Sequence, residues 1–339
     1  MQKQSLSVLV LHESIKPDAR VDELDALVQV EQVTQAIRQL GWQVSTLATG
    51  LDLASTITAI RSLAPDCIFN LVESLDGKGS LIHYIPALLS LAEVPYTGAD
   101  SDAMYLSSQK QLAKQIMHLN QIATAASFDL HDPLIDDDHR WIVKSRWEHA
   151  SFGMDDACVV VGRSAAHERI LSCQSRLGGE WFAELYLDGR EYNISVLEIE
   201  GKPRILPVAQ MVFSDYPDDK PRIVGYAAKW DSNAPEYTAT RREFSVLPEP
   251  ELEEINRLVL QCWHAFGLSG YARIDIRCDA TGKPWVLEVN ANPCLALDAG
   301  FVAAARKAGL GYEQLIDHII QAALPVDVTP PVYLSVKQS

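Results

Sequence analysis

The chain has 339 residues, 47% hydrophobic and 22% charged, which is enough apolar material for a sizeable core and argues against wholesale disorder. A formal net charge of −16 excludes a nucleic-acid backbone or an anionic membrane surface as the main partner. The six cysteines form no CxxC pair and no apolar stretch reaches the roughly 18 residues of a membrane span, so we expect a cytoplasmic protein with reduced thiols and no membrane partner.

Strand and helix patterns alternate along the first third of the chain. They come in the order strand 5–11, helix 24–40, strand 42–47, helix 53–63 and strand 67–72. Alternation with short connections predicts a parallel sheet covered on both faces. We therefore expect the chain to begin with a small open α/β domain.

The pattern changes after the turn-rich segment Pro95-Tyr96-Thr97-Gly98. The predicted elements that follow are helix 102–119, strand 141–145, helix 165–177, a series of short strands over 181–230, and an amphipathic helix 252–266 that ends at Gly267. The short strands are separated by Gly, Asp and Pro, which is typical of an antiparallel sheet. A second domain is thus predicted to begin near residue 105.

The most informative stretch runs from Gly270 to Pro293. Strand patterns over 271–278 and 285–290 flank a five-residue turn, which is an ordinary hairpin loop. If Cys278 pairs with Trp285, Asp275 lies opposite Glu288 and Arg273 lies opposite Asn290. These four polar side chains would then share one face of the hairpin. The apolar face would hold Ala272, Ile274, Ile276, Leu287 and Val289.

Two interpretations of this polar cluster stay open at this point. Neighbouring Asp and Glu side chains repel each other unless a positive charge lies between them, and oxygen ligands from Asp, Glu and Asn suit magnesium. Alternatively, the cluster is a solvated strand face on which Arg273 neutralises the acids. The spacing alone does not decide between them.

These residues also carry a resemblance to a known family. The runs Gly270-Tyr271-Ala272-Arg273-Ile274-Asp275 and Leu287-Glu288-Val289-Asn290, followed by Pro293, resemble the C-terminal signature of ATP-grasp ligases. The nearest relatives are the D-alanine–D-alanine ligases. Their motif order is also matched by VPYTG, the helix with Lys110, IVKSRWEHASFGM, the strand ending in Glu184, GREYN and AAKW.

The resemblance implies a three-domain ATP-grasp architecture and a homodimer. The fold class would be α/β, with α+β character in the C-terminal half and an open parallel sheet at the N-terminus. The implied divisions are an N-terminal substrate domain (1–104), a central ATP-grasp subdomain (105–188), a C-terminal catalytic domain (189–325) and a tail (326–339). The nucleotide would be held between the second and third domains.

The resemblance further implies roles for individual residues. Lys110, Lys144 and Lys229 match phosphate-binding lysines, and Ser151 and Gly153 lie in the loop that closes over the phosphates. The remaining matches are Glu184, Leu185 and Tyr186 for adenine, Leu287 for the ATP site, Glu191 for the ribose, Asp275, Glu288 and Asn290 for two magnesium ions (or manganese), and Arg273 for the tetrahedral intermediate. Without the motif order, Lys110 and Glu191 would be interpreted as surface residues.

The match fails in the substrate site. The first strand runs into His12 and Glu13 without the family's Gly-Gly turn, so these two residues are candidate substrate contacts. A Ser and a Tyr of the family are replaced by Ala150 and Trp230, and a Gly and a Ser by Cys294 and Ala299. Cys294 and Asp298 are further candidate contacts, although a packing role is expected for Cys294 rather than a nucleophilic one. Losing several hydrogen-bonding groups predicts a changed substrate.

The expected function is that of an ADP-forming ligase that activates a small-molecule carboxylate as an acyl phosphate and joins it to an amine. Its substrates would resemble amino acids but would not be two D-alanines. The alternatives are a genuine D-alanine–D-alanine ligase, an ATP-grasp enzyme that phosphorylates or carboxylates without forming an amide, and a non-catalytic nucleotide-binding relative. The last is disfavoured because the three metal-type ligands and the lysines are all present.

Overall fold

The computed structural model describes residues 6–15, 21–135, 137–217, 219–244 and 246–325. Its helices are α1 (Val21–Gln39), α2 (Leu53–Leu63), α3 (Tyr84–Ala92), α4 (Ser101–Ser108), α5 (Lys110–Leu119), α6 (Arg163–Leu177), α7 (Tyr226–Trp230), α8 (Pro235–Ala239), α9 (Glu249–Ala265), α10 (Gly300–Lys307) and α11 (Tyr312–Ala323). None of these helices is both long and apolar enough to cross a lipid bilayer. Residue 5 of the first predicted strand and the predicted tail lie outside the described residues.

The strands form three sheets. They are β1 (Ser7–Glu13), β2 (Gln43–Thr49), β3 (Cys67–Asn70), β4 (Ser127–Phe128), β5 (Arg140–Ser145), β6 (Val159–Val161), β7 (Trp181–Leu185), β8 (Glu191–Ile199), β9 (Lys202–Ile205), β10 (Ala209–Phe213), β11 (Thr240–Glu243), β12 (Tyr271–Cys278) and β13 (Pro284–Ala291). Each sheet falls within one of the three predicted divisions, whose exact boundaries stay a prediction.

The N-terminal sheet is parallel, in the order β2-β1-β3, as predicted. Because a parallel sheet is covered on both faces, the central strand β1 is apolar along its length, and Val8 to Leu11 are buried. Leu9 and Leu11 pack towards α2 and α3, whereas Val8 and Val10 pack towards α1. The other two sheets are antiparallel, in the orders β4-β7-β5-β6 and β11-β10-β8-β12-β13, with β9 also paired to β8.

The single helix predicted over 102–119 is wrong, because the chain breaks at Gln109. This residue has extended backbone angles (φ −82°, ψ 94°), and its side-chain carbonyl accepts a hydrogen bond from the Leu112 amide at 2.6 Å. Gln109 therefore caps α5. The break places Lys110 in the first turn of α5, where its ammonium group donates to the Glu148 carbonyl oxygen at 2.7 Å.

The hairpin of β12 and β13 has the predicted register at its functional end only. Arg273 pairs with Asn290 and Asp275 with Glu288, but the register shifts between Asp275 and Ile276. Beyond this bulge Cys278 pairs with Pro284, so the predicted pairing with Trp285 is wrong by one residue.

The bulge also changes which side chains of β13 enter the core. Val286 pairs with Ile276 and is buried with Ile274 and Val289 in the core beneath the largest sheet. Leu287, which was expected on this apolar face, is only half-buried and lies outside that core. An extra residue in one strand reverses the alternation of faces, which explains the exchange.

A second core joins the two ends of the described chain. Side chains of β1, β3 and α1 pack with those of α10 and α11, and Leu197 and Tyr271 of the largest sheet belong to the same core. Examples are Val8 and Ile37 from the beginning, and Phe301 and Ile316 from the end. The N-terminal sheet is therefore covered on one side by the last two helices of the described chain.

Gly98 lies at the contact between the VPYTG turn and the C-terminal part of the chain. It has a φ of +87°, and a Cβ at this position would overlap the side-chain amide of Asn292. Asn292 in turn accepts a hydrogen bond from the Ala99 amide at 2.9 Å, and Ser269 donates to the Gly98 carbonyl oxygen at 2.9 Å. Only glycine satisfies both the backbone angle and the close approach.

We expect Gly98→Ala to lower the free energy of unfolding by about 3 kcal/mol, because it adds left-handed strain to overpacking against Asn292. Gly309→Ala is the matched control, since Gly309 has the same φ of +87° but no atom within 4 Å of an added Cβ. The control should cost only about 1 kcal/mol. Thermal unfolding followed by circular dichroism measures both; equal losses would show that the contact with Asn292 contributes nothing.

Candidate active site

Glu288 on β13 is the carboxylate around which the predicted cations gather. It interacts electrostatically with cations from four different elements, namely Lys110 of α5, Lys144 of β5, Lys229 of α7 and Arg273 of β12. Burial would raise the pKa of Glu288, but the surrounding cations outweigh burial and hold the pKa well below its usual range. Glu288 is therefore a carboxylate at neutral pH.

The predicted oxygen ligands lie together beside Glu288. The Asn290 side-chain nitrogen lies 3.1 Å from Asp275 Oδ2 and 3.4 Å from Glu288 Oε1. Arg273 donates two hydrogen bonds to Asp275, from Nε to Oδ1 at 2.7 Å and from Nη2 to Oδ2 at 2.8 Å. Arg273 neutralises Asp275, as the second interpretation expects, but Asp275 and Asn290 are buried and not solvated. The magnesium interpretation stays a prediction.

This donor set fits magnesium, which prefers carboxylate and amide oxygens and shares its shell with phosphate and water. Burial raises the pKa of Asp275, although Arg273 opposes the shift. Asn193 of β8 adds a hydrogen bond to Asp275 Oδ1 at 2.9 Å. Asp275 and Glu288 are now hydrogen-bonded by Arg273, Asn193 and Asn290. A divalent ion bound to the two acids would replace some of these contacts.

Glu184 on β7 is buried between two lysines, which sequence patterns did not indicate. One oxygen accepts from Lys144, and Lys114 Nζ lies 2.7 Å from the other. Lys114 is on α5, one turn beyond Lys110, and also donates to Thr124 Oγ1 at 3.0 Å. The Glu184 carboxylate is therefore engaged with the two lysines and anchors Lys144, and its contact with adenine stays a prediction.

The backbone amides of Leu185 and Tyr186 are engaged within the protein, so the adenine contact of these two residues, which stays a prediction, would be made by other atoms. Leu185 N donates to Ala126 O at 2.8 Å, and Tyr186 N donates to Arg140 O at 2.9 Å. The reason is that β7 lies inside its sheet, between β4 and β5. The amide of Leu187, the second residue beyond the strand, donates no hydrogen bond to another residue in the described ranges.

Glu191 at the start of β8 forms a buried pair with Arg277, at 3.0 Å between Oε2 and Nη1. Arg277 also donates to the Arg222 carbonyl oxygen at 2.6 Å. The pair leaves Glu191 Oε1 free of any hydrogen bond within the described part of the chain. The ribose role of Glu191 stays a prediction that is compatible with this geometry.

The loop over residues 148–154, here called the phosphate loop, is tied to the segment that carries Lys229. Ser151 Oγ donates to Val224 O at 2.7 Å, and Trp230 Nε1 donates to Ala150 O at 3.1 Å. Ala150 and Trp230, which replace a Ser and a Tyr of the family, thus contact each other. Ala150 and Ser151 both have positive φ, at 56° and 61°, and such strained backbone concentrates at functional loops.

Gly153 lies where the phosphate loop packs on the rest of its domain. A Cβ at this position would meet Leu177 Cδ1 and Trp181 Cζ and Cη atoms, the nearest at 2.6 Å. Gly153 therefore permits close packing of the phosphate loop on α6 and β7. Its approach to phosphate stays a prediction.

His149 in the phosphate loop is a further residue of the cleft that sequence patterns did not single out. Burial, followed by the charge of Lys110, lowers the pKa of the imidazole to about 4, and Glu288, Arg273 and Lys229 also interact with it. The ring is neutral at pH 7. Its place directly before Ala150, in the loop that the resemblance assigns to the phosphates, was the available signal.

Two candidate substrate residues, His12 and Glu13, lie at the end of β1. Glu13 accepts hydrogen bonds from the Glu73 and Ser74 amides at 3.1 and 2.6 Å, and His12 Nδ1 contacts the Glu13 carbonyl oxygen at 2.9 Å. Glu13 thus holds the loop after β3, and a direct substrate contact stays a prediction. The structure shows no contact between His12 and the lysines or acids of the cleft within the described residues.

Cys294 and Asp298 follow the metal-type ligands. Burial and the charges of Glu73, Asp25 and Asp298 raise the pKa of the Cys294 thiol well above its usual range. A thiol that stays protonated is a poor nucleophile, which agrees with the expected packing role. Asp298 is exposed and interacts with Asp25 of α1, whose pKa is raised by burial and by this acid.

Comparisons of sequence and of structure both give matches to known proteins. The family model described as D-ala D-ala ligase C-terminus matches residues 140–321, more than half of the chain. The chain is 28% identical over 317 residues to an uncharacterised Sinorhizobium fredii protein, y4sG, with 86% of each chain covered. It is 24% identical over 326 residues to a D-alanine–D-alanine ligase of Coprothermobacter proteolyticus, with 94% of this chain and 100% of that one covered.

The solved structure of the D-alanine–D-alanine ligase from Bacillus anthracis complexed with ATP superimposes with a TM-score of 0.71 and 19% identity. The superposition covers 94% of this chain and 98% of that chain. The ATP-grasp fold predicted from the sequence is therefore confirmed.

Proposed function

The chain belongs to the D-Ala-D-Ala ligase family of ATP-dependent ligases that form C–N bonds, and from this premise we propose that it activates a carboxylate as an acyl phosphate and joins it to an amine. The observation that carries the proposal is the convergence of Lys110, Lys144, Lys229 and Arg273 on Glu288. Transfer of a terminal phosphoryl group needs little covalent help from the protein but needs fixed positive charge around it.

The residues divide the proposed reaction between them. Lys110 and Lys144 are held by Glu148 O and by Glu184, so their ammonium groups are oriented before the nucleotide arrives. Arg273, steered by its two hydrogen bonds to Asp275, stabilises the oxyanion formed when the amine attacks. Leu187 N would bind the adenine base, and Glu191 Oε1, which Arg277 leaves free, would bind the ribose.

Magnesium held by Asp275, Glu288 and Asn290 would supply charge neutralisation at the transferring phosphoryl group. The phosphate loop and the segment of α7, joined by the hydrogen bonds of Ser151 and Trp230, exclude water from the acyl phosphate. Exclusion matters because water competes with the amine for this intermediate.

The proposed substrates are amino-acid-like molecules other than two D-alanines. Support comes from the indole–carbonyl contact of Trp230 with Ala150, and from Cys294 and Ala299 after the metal-type ligands. The second candidate is a genuine D-alanine–D-alanine ligase, which is favoured by the name of the Coprothermobacter relative and its full-length coverage. The homodimer and the cytoplasmic location stay predictions.

A phosphate-release screen of paired amino acids and carboxylic acids, with ATP and magnesium, tests the proposal. We expect release that requires both a carboxylate and an amine, and that is slow with D-alanine alone. Rapid release with D-alanine alone, together with D-alanyl-D-alanine in the product, would establish the second candidate instead. Release that does not depend on any amine would contradict ligation altogether.

A further inference from the structure

Arg242 on β11 is a cation of the cleft that the proposed mechanism does not use. Its backbone pairs with Met211, which pairs with Glu191, which pairs with Arg277. Directly paired residues share a face, so Arg242 lies on the same face of the sheet as Glu191 and Arg277. Arg273, Asp275 and Arg277 are every second residue of β12 and therefore share one face. Arg242 thus lies on the face of the sheet that carries the proposed catalytic residues.

The guanidinium of Arg242 lies at the start of α10. A Cβ built on Gly300 would be 3.5 Å from Nε and 3.5 Å from Nη2 of Arg242. Helix α10 begins at Gly300, and its N-cap residue Ala299 provides no side-chain hydrogen bond. The cation therefore stands beside free amides of a helix N-terminus, where the helix dipole adds positive potential.

No carboxylate neutralises Arg242. It forms no hydrogen bond or ion pair with another residue in the ranges the structure describes, and its electrostatic neighbours are Arg273 and Asp298. Arg273 repels it, while Asp298 attracts it from beyond ion-pair distance. Arg273 is already paired with Asp275, so Arg242 is the half-buried guanidinium on this face that no carboxylate of the described residues pairs with, and an anion is bound favourably beside it.

The anion is assigned by position and by geometry. The three lysines of the proposed phosphate site are not neighbours of Arg242. Its neighbours include Asp298 and Gly300, which follow the candidate substrate residue Cys294 in the chain. A guanidinium fork matches a carboxylate through two parallel hydrogen bonds. Arg273, which is proposed to stabilise the oxyanion during amine attack, lies on the same face of the sheet as Arg242.

We propose that Arg242 is a specificity-determining residue that binds a carboxylate group of the amine-bearing substrate. The inference rests on the proposed ligase function. It means that the amine substrate carries a carboxylate, as an amino acid does, and that an amine without a carboxylate is disfavoured. Arg242 would thus supply hydrogen bonds at the end of the cleft where Ala299 offers none.

The test compares the amino acid that gives the fastest phosphate release in the screen with its carboxamide, using the same carboxylate donor. The wild-type enzyme should prefer the amino acid by about 100-fold in kcat/KM, the value of one charge-assisted bidentate contact. In Arg242→Gln this preference should fall below about 5-fold, mainly through a higher KM for the amino acid. Arg242→Lys should restore part of the preference, because the charge remains.

Arg241→Gln is the matched control. Arg241 is the neighbouring residue on β11, points to the opposite face and is exposed. Among the described residues, it donates only to the Thr238 carbonyl oxygen, at 3.3 Å. It should keep the wild-type preference. Thermal midpoints of all variants separate loss of specificity from loss of fold.

Three results would overturn the inference while leaving the ligase function intact. They are an unchanged preference in Arg242→Gln, a raised KM for ATP in place of the amine substrate, and an equal loss with the amino acid and the carboxamide. The last would mark Arg242 as a structural residue. Absence of phosphate release from the wild-type enzyme with every pair would instead contradict the proposed function itself, and the inference with it.

Discussion

Replacing Glu288 with Gln is expected to reduce phosphate release by about 10³-fold, equivalent to about 4 kcal/mol of transition-state stabilisation. The substitution keeps the size of the side chain but removes the charge on which Lys110, Lys144, Lys229 and Arg273 converge. An amide is also a weaker ligand for magnesium than a carboxylate. Steady-state phosphate release at saturating ATP, with magnesium varied, measures both effects.

The control for this substitution is Glu253→Gln on α9, where the side chain is exposed and remote from the cleft. It should release phosphate at the wild-type rate. Turnover of Glu288→Gln above a tenth of the wild-type rate would remove Glu288 from the proposed metal role. A wild-type circular dichroism spectrum and thermal midpoint of the variant would show that the loss arises in the reaction and not in folding.

Replacing Glu184 with Gln should lower the free energy of unfolding by about 3–5 kcal/mol, because it leaves Lys114 and Lys144 buried without their shared carboxylate. The thermal midpoint should fall by roughly 10 °C. Glu180→Gln is the control: Glu180 pairs with Arg146 at 2.9 Å, but its side chain is 55% exposed. An exposed pair of this kind contributes at most about 1 kcal/mol.

The effect of Glu184→Gln should depend on pH in a defined direction. Burial would raise the pKa of Glu184, but Lys114 and Lys144 outweigh it, so the folded-state pKa lies below the ordinary value of 4.5. The stabilisation is fully present above the unfolded-state pKa and is lost as the pH falls through the folded-state pKa. The difference between wild type and variant should stay constant from pH 7 to about pH 5 and narrow only below about pH 4. A difference that narrows already between pH 7 and 5 would contradict the lysine pairing.

The periodic parts of this fold were predictable from the sequence, and the interruptions were not. The parallel N-terminal sheet and the pairing of Asp275 with Glu288 follow from hydrophobic alternation and a loop of ordinary length. The bulge beyond Asp275 and the break at Gln109 leave no mark on that alternation. One depends on an extra residue in a strand and the other on a side-chain cap, and both are set by tertiary packing.

The candidate site shows the same division. Residues in recognisable motifs, such as Glu184 and Glu191, were singled out in the sequence, whereas the cations Lys114 and Arg277 that pair with them were missed. Lys114 approaches Glu184 from 70 positions earlier in the chain, and Arg277 approaches Glu191 from 86 positions later. A lone Lys or Arg on a helix or strand carries no signal of such a partner. Only the placement of the sheets brings these charges together.

The shared core of the first sheet with α10 and α11 has a consequence for how the protein is made. During translation the apolar side of β1 and β3 leaves the ribosome long before Phe301 and Ile316, which cover it. Although α1 packs on the same side of the sheet, the apolar side chains that α10 and α11 cover stay exposed until nearly the whole chain has emerged. A fragment that stops before Gly300 is therefore expected to aggregate, and expression of the N-terminal domain alone requires a surrogate for those two helices.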